Sequence, residues 1–340
     1  MLTRCEGPVH LPSKRIMRAK FKEYLMLDGS KQTLVQRVGS GKVIRRFDKT
    51  PYPRKPTDVI CPHFMEIAWS WGCPYNCAFC YLKGTYRFFA KNNSGRVPMH
   101  FKDRGQIAKE LTSFLRLDIP AEILNAGELS DALMGESLDP PFSSWLMSYM
   151  KGSRHKVLFL TKGLQVRNFL QNEWQENVIL SWSINGEKVA KRWEHLAPEP
   201  IPRLEAAKKV ADAGYEVRLR IDPMVMIEGW RADYAKVIDE VFKRLQPERI
   251  TLGCLRGLSS TIRNVKDKSW LQYLDETSSW GRKPSFNKRL TLYRGVMDYL
   301  TNYGFNKVGF CKDTLAMWHE LGLDFKEITC NCVWGNESNG

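Results

Sequence analysis

The chain has 340 residues, 43% of them hydrophobic, and a formal net charge of +15; this length and apolar content support a large folded core and argue against disorder. No run of 18 apolar residues occurs, and residues 1–18 mix charges and prolines where a signal peptide needs an apolar stretch, so a soluble, cytoplasmic protein with no membrane partner is expected. Nine cysteines, at 5, 61, 73, 77, 80, 254, 311, 330 and 332, are an odd number without a secretion signal, which argues against a disulfide scaffold and for metal binding or redox chemistry.

Residues 1–60 carry fourteen Lys or Arg against five Asp or Glu, with prolines at 8, 12, 51, 53 and 56. This reads as a basic extension over residues 1–62, with a short hairpin around Gly39 to Gly41. Phosphate neutralisation with counterion release makes nucleic acid the expected partner of such a segment; solubility or an anionic membrane surface is the bland alternative. Residues 63–71 are compact and apolar and predict a buried strand. The stretch Cys73-Pro74-Tyr75-Asn76-Cys77-Ala78-Phe79-Cys80-Tyr81 follows at once. Beyond a basic, aromatic connector, amphipathic helices at 103–116, 142–150, 164–174, 203–213 and 231–245 are interleaved with apolar strands at 121–125, 156–161, 178–183, 216–221 and 249–253. Six strands in this alternation predict an α/β fold, a partial parallel (β/α)6 TIM-type barrel or open sheet, over residues 63–256. Residues 257–340 then form a C-terminal extension: a Ser-rich basic loop, a helix at 286–302, and a last piece with Cys311, Cys330 and Cys332.

Loops after the C-terminal ends of parallel strands build the active site in such folds. The predicted ends carry Cys73, Gly127 with Glu128, Lys162, Ser183 with Asn185, Asp222, and Cys254 with Arg256. Six polar or special endings in register point to one functional face. Gaps of three and two residues let one loop turn Cys73, Cys77 and Cys80 toward a common point, as a metal or an iron–sulfur cluster requires. Structural zinc needs a fourth ligand, here His63 or Cys61, so a zinc-stabilised nucleic-acid-binding protein is the alternative from a different class. Cys311, Cys330 and Cys332 form a second group, either for a second metal with His319 or Cys254 as fourth ligand, or for thiol redox chemistry. Arg218 and Arg220 alternate and therefore share a face, inner or outer. The aromatic residues around the cysteine loop shield it or, with Lys83, Arg87, Lys91 and Arg96 interleaved, stack on an extruded base.

The Cys73-x-x-x-Cys77-x-x-Cys80 loop directly after a first strand resembles the radical S-adenosylmethionine superfamily. Within it, Cys80-Tyr81-Leu82, Ser183-Ile184-Asn185, Pro202 to Ala207, Ala213-Gly214-Tyr215 and Glu228-Gly229-Trp230 resemble the spore photoproduct lyase family, over roughly residues 63 to 250. That resemblance implies a radical S-adenosylmethionine type of partial barrel and a [4Fe–4S] cluster on Cys73, Cys77 and Cys80, with one iron open for S-adenosylmethionine. It further implies cleavage to a 5′-deoxyadenosyl radical and abstraction of hydrogen from a nucleic acid base, in a DNA repair-like lyase or base-modifying reaction. A radical enzyme acting on a peptide or small molecule is the runner-up. By the same resemblance Gly127 and Glu128 meet the methionine amino group, Lys162 the carboxylate, and Ser183 with Asn185 the ribose hydroxyls. Tyr81 is the retained half of a tyrosine relay, DNA is the partner, and flavodoxin or ferredoxin serves as electron donor. Two positions depart from the family. Glu128-Leu129-Ser130-Asp131 stands where the lyase has a hydrogen-donating cysteine before Thr-Ser-Asp, and Phe79 stands where it has a tyrosine. Cys254 is then expected at the same mouth as a replacement hydrogen donor, the alternative being a buried packing cysteine.

Overall fold

The computed structural model describes residues 20–25, 31–37, 43–47 and 53–334, except 63, 94, 279, 328 and 329; the hairpin expected around Gly39 to Gly41 lies outside the described residues. Ten strands share one sheet: β1 (Lys20–Leu25), β2 (Lys31–Arg37), β3 (Ile44–Phe47), β4 (Phe64–Ile67), β5 (Ile123–Asn125), β6 (Lys156–Thr161), β7 (Val178–Ile184), β8 (Glu216–Met224), β9 (Ile250–Cys254) and β10 (Val308–Phe310). They lie side by side in chain order. The pairings from β1 to β4 are antiparallel, and those from β4 to β10 are parallel.

All six strands expected from apolar runs are present. The seventh parallel strand, β10, falls inside the stretch read as a C-terminal extension, because three residues give too short an apolar signal to register. The order runs from β1 at one edge to β10 at the other, so among the described residues the sheet is open. Parallel neighbours require long crossovers, and helices supply them: Arg104–Leu115, Phe142–Met150, Pro200–Asp212 and Trp230–Phe242. The first starts where the Asp103 carboxylate accepts the Gln106 N–H at 2.8 Å, capping an otherwise orphan donor.

All seven residues of β7 are buried, because both faces of the sheet are covered. On the outer face Leu180, Trp182 and Ile184 join the main apolar core with Leu204, Ala207 and Val210 of the following helix. On the concave face Ile179, Ser181 and Ser183 alternate with them. That face is filled by the segment Cys330 to Trp334, the element least legible in the sequence. Asn331 is fully buried: it donates to Ser181 Oγ at 2.9 Å and to Leu219 O at 2.8 Å, and accepts from Thr251 Oγ1 at 2.6 Å. Arg218 Nη1 donates to the Asn331 and Val333 carbonyls, and Trp334 packs on Ile123, Leu158 and Ile179. Arg218 and Arg220 thus belong to the inner face, the first of the two placements open from sequence.

Candidate active site

At the C-terminal ends of the parallel strands lies a cavity of about 680 Å³, lined by Cys73, Cys77, Cys80, Gly127, Glu128, Lys162 and Ser183 among others. The cysteine loop leaves the sheet through Gly72, whose φ of +89° suits glycine. A Cβ there would lie 1.9 Å from the Pro98 carbonyl oxygen. The Gly72 N–H donates to Leu129 O at 3.0 Å, tying the loop to the turn after β5. Farther along, Ala78 N–H donates to Trp193 O at 2.7 Å and Asn76 N–H to His195 O at 2.8 Å, so the loop is held from both sides.

Burial pushes all three loop thiols up, Cys77 to about 12. Such thiols ionise only against a strong positive centre. The main-chain N–H of Tyr75 is directed at the Cys73 sulfur, and those of Leu82 and Lys83 at Cys80, which is the hydrogen bonding that cluster thiolates receive. Among the described residues no three His, Cys, Asp or Glu side chains converge on the position of a single ion. Thiolates on separate irons need no such convergence, whereas a tetrahedral zinc site does. Three soft thiolates carried by one loop onto one cavity are the donor set that an iron–sulfur cluster takes. His63, one of the two candidate fourth ligands for zinc, lies outside the described residues.

Gly127 places its backbone against Leu160 of β6, where a Cβ would meet the Leu160 carbonyl oxygen at 2.5 Å. Its N–H donates to Asn125 Oδ1 at 2.8 Å. Glu128 follows, and burial raises its carboxyl to about 7 against the opposing pull of Lys312. Tyr81 donates its hydroxyl to the Glu128 carbonyl oxygen and also lines the cavity, as does Phe79. Lys162 is less available than a lone strand-end lysine, since its Nζ lies 2.5 Å from Glu194 Oε1. Glu194 also meets Arg203 Nη2 at 2.6 Å, an ionic contact not aligned as a hydrogen bond. Burial opposes the Glu194 charge, but Lys162 and Arg203 together hold its carboxyl down to about 2. Asp131 fixes the start of the same turn by accepting from Thr161 Oγ1 at 2.7 Å and from Lys162 N–H at 2.8 Å.

Two expected site residues lie elsewhere. Asn185 is fully buried behind the cavity; it donates to Pro223 O at 2.9 Å and accepts from Gly186 N–H and the Tyr234 hydroxyl. It braces the strand end, while Ser183, donating to Asp222 O at 3.3 Å, does line the cavity. Cys254 does not face the mouth. On β9 it is Thr251 and Gly253 that face inward, toward Asn331 and Asp222, and with a period of two residues Cys254 points outward, where it pairs with the Tyr293 hydroxyl. The packing alternative for Cys254 is the one observed. The residues that sequence reasoning missed are Glu194 and Arg203, in a loop and a helix with no local signal of an ion pair.

The family model described as Spore photoproduct lyase matches residues 30–254, beginning upstream of the expected stretch. A spore photoproduct lyase of Clostridium acetobutylicum is 22% identical over 174 residues, 51% of this chain and 50% of that protein. One from Bacillus subtilis is 25% identical over 183 residues, 52% of this chain and 50% of that protein. The chain thus spans about half the length of these relatives. A solved spore photoproduct lyase complexed with dinucleoside spore photoproduct superposes with a TM-score of 0.60 at 17% identity, covering 76% of this chain and 80% of that one. A variant of that lyase with bound AdoMet and dinucleoside spore photoproduct gives 0.59 at the same identity and coverage. The fold is therefore that of these structures, and with the family model covering most of its length the chain belongs to the spore photoproduct lyase family.

Proposed function

We propose that this chain is a radical S-adenosylmethionine enzyme that abstracts hydrogen from a nucleic acid base, in a repair-like or base-modifying reaction on DNA. The observation that carries the reading is the shared cavity. One wall presents Cys73, Cys77 and Cys80 and the adjoining turns present Gly127, Glu128, Lys162 and Ser183, in a chain whose family match spans the same residues. Cys73, Cys77 and Cys80 would hold a [4Fe–4S] cluster, which when bound supplies the electron that splits S-adenosylmethionine into methionine and a 5′-deoxyadenosyl radical.

The chain's own residues do the rest. Gly127 lets the backbone approach the ligand closely, Glu128 accepts from the methionine ammonium, and Lys162, its charge balanced by Glu194, meets the carboxylate. Trp71, stacked with Tyr86 at 5.0 Å and His100 at 4.9 Å, shields the loop from water. Just outside, Phe88 and Phe89 are exposed, with Arg87 set 4.7 Å over the Phe88 ring, a basic aromatic surface of the kind that stacks unpaired bases. An electron donor of the flavodoxin or ferredoxin class completes the reading. Glu128 in place of the lyase's hydrogen-donating cysteine, and Phe79 in place of its tyrosine, favour a product other than repaired thymines.

The test is anaerobic reconstitution with iron and sulfide, reduction, and addition of S-adenosylmethionine. Release of 5′-deoxyadenosine is expected; its absence with a loaded cluster overturns the reading. Nucleoside mass analysis after incubation with ultraviolet-irradiated DNA identifies the base, and turnover only on a peptide or small molecule assigns the runner-up substrate class.

A further inference from the structure

The second cysteine group gains a member that its spacing does not suggest. His319 is exposed on the last turn of the helix Leu315–Glu320 and Cys254 faces the outer helices, so neither joins Cys311, Cys330 and Cys332. Cys61 does: all four thiols line the cavity already described, on the wall that carries Arg220 and Arg256.

Three separate parts of the chain deliver them. Val59–Ile60 pairs antiparallel with Asp313–Thr314, Ile60 opposite Asp313, which sets Cys61 beside the turn holding Cys311. The Cys311 N–H donates to Leu252 O at 2.7 Å, anchoring that turn to β9. Asn331 is pinned under the cavity floor, and its two flanking thiols, Cys330 and Cys332, are within hydrogen-bond reach of each other. Cys61 and Cys311 lie near enough for a charge on either to act on Cys330. Two guanidinium groups reach the set: Arg220 Nη2 lies 3.1 Å from the Cys332 sulfur, and Arg256, ion-paired with Asp222 at 2.8 Å, brings Nη2 to 3.6 Å from that of Cys311. No disulfide links any described cysteine.

We propose that Cys61, Cys311, Cys330 and Cys332 hold a second iron–sulfur cluster of the [4Fe–4S] type, ligated at every iron, with Arg220 and Arg256 as hydrogen-bond donors to its thiolates. Four thiolates make such a centre anionic, and cationic donors aimed at the sulfurs are what stabilises it in a buried wall. With no open iron, the second centre carries single electrons and does not bind S-adenosylmethionine. The inference stands whatever the substrate.

Iron and sulfide analysis with electron paramagnetic resonance of the full chain, reconstituted anaerobically, tests it. The parent should hold about eight irons and eight sulfides. The C73A/C77A/C80A variant should keep about four of each, with a reduced-cluster signal that S-adenosylmethionine does not perturb. The C61S/C311S variant, which spares the packed Cys330 to Trp334 segment, should keep about four and a signal that does respond. An iron-free C73A/C77A/C80A protein with parental circular dichroism overturns the proposal. So does zinc in place of iron, a Cys330–Cys332 disulfide in the anaerobic parent, or an undiminished iron content in C61S/C311S.

Discussion

Glu194 does most of the electrostatic work behind the cavity. Fully buried between Lys162 and Arg203, it is a carboxylate whose removal leaves the buried Arg203 and the half-buried Lys162 without their shared anionic partner. Breaking such an arrangement from one side is strongly destabilising. Glu194→Gln is expected to cost about 3–5 kcal/mol in urea denaturation, and a loss below about 1 kcal/mol would show the triad to be energetically idle. His155 makes the second residue-scale prediction. It is buried, accepts the Glu122 N–H on Nδ1 at 3.0 Å, and its Nε2 meets no hydrogen-bond partner, so burial holds it neutral and lowers it from 6.5 to about 4. The unfolded chain takes up this proton below about pH 6.5 while the folded chain resists until about pH 4, so stability falls as pH drops through that window. The contribution between pH 7 and pH 5 is about 2 kcal/mol. His155→Gln, compared with the parent by denaturation at both pH values, should flatten the difference by that amount. Glu128, raised to about 7 and so opposite in sign, is unchanged in both proteins and cancels.

The cysteine loop, as an element, depends on its departure from the sheet more than on its own residues. Gly72 combines a positive φ with a backbone carbonyl where a side chain would begin, and a rigid main-chain neighbour cannot swing aside. Gly72→Ala should therefore destabilise by about 2 kcal/mol or more and lower the iron retained after reconstitution. Retention at the parental level would mean that the loop tolerates another exit. The segment Cys330 to Trp334 is the complementary case, an element without regular structure that is nonetheless fixed. Asn331→Ala strips Ser181, Thr251 and the Leu219 carbonyl of a buried partner at once. The expected loss is about 2–4 kcal/mol, one to two unsatisfied groups' worth, read from the urea midpoint.

The +15 charge of the whole molecule makes salt the natural probe of its partner. If Arg87 and Lys91 beside the exposed Phe88 and Phe89 contact phosphate, R87A/K91A should weaken binding of single-stranded DNA similarly for all sequences. It should also make the logarithmic salt dependence shallower by about 0.7 per lost contact. An unchanged slope moves the nucleic acid to another face. Among the described residues no helix is long and apolar enough to cross a membrane.

Much of this is legible in the chain alone. Apolar runs and helical spacing locate six strands and the main crossover helices. In a parallel sheet that alternation brings strand ends to one side, so the sequence suffices to group Cys73, Gly127, Glu128, Lys162 and Ser183 at one cavity. Local periodicity states that neighbours on a strand face opposite ways but not which way. The phase is set by what covers each face, and it turns Cys254 toward Tyr293 and Arg220 toward the cavity. Contacts between distant residues carry no local pattern at all. Only the tertiary structure could seat Glu194 against Lys162, lay Asn331 under the strands, and bring Cys61 to three cysteines in the last thirty residues of the chain.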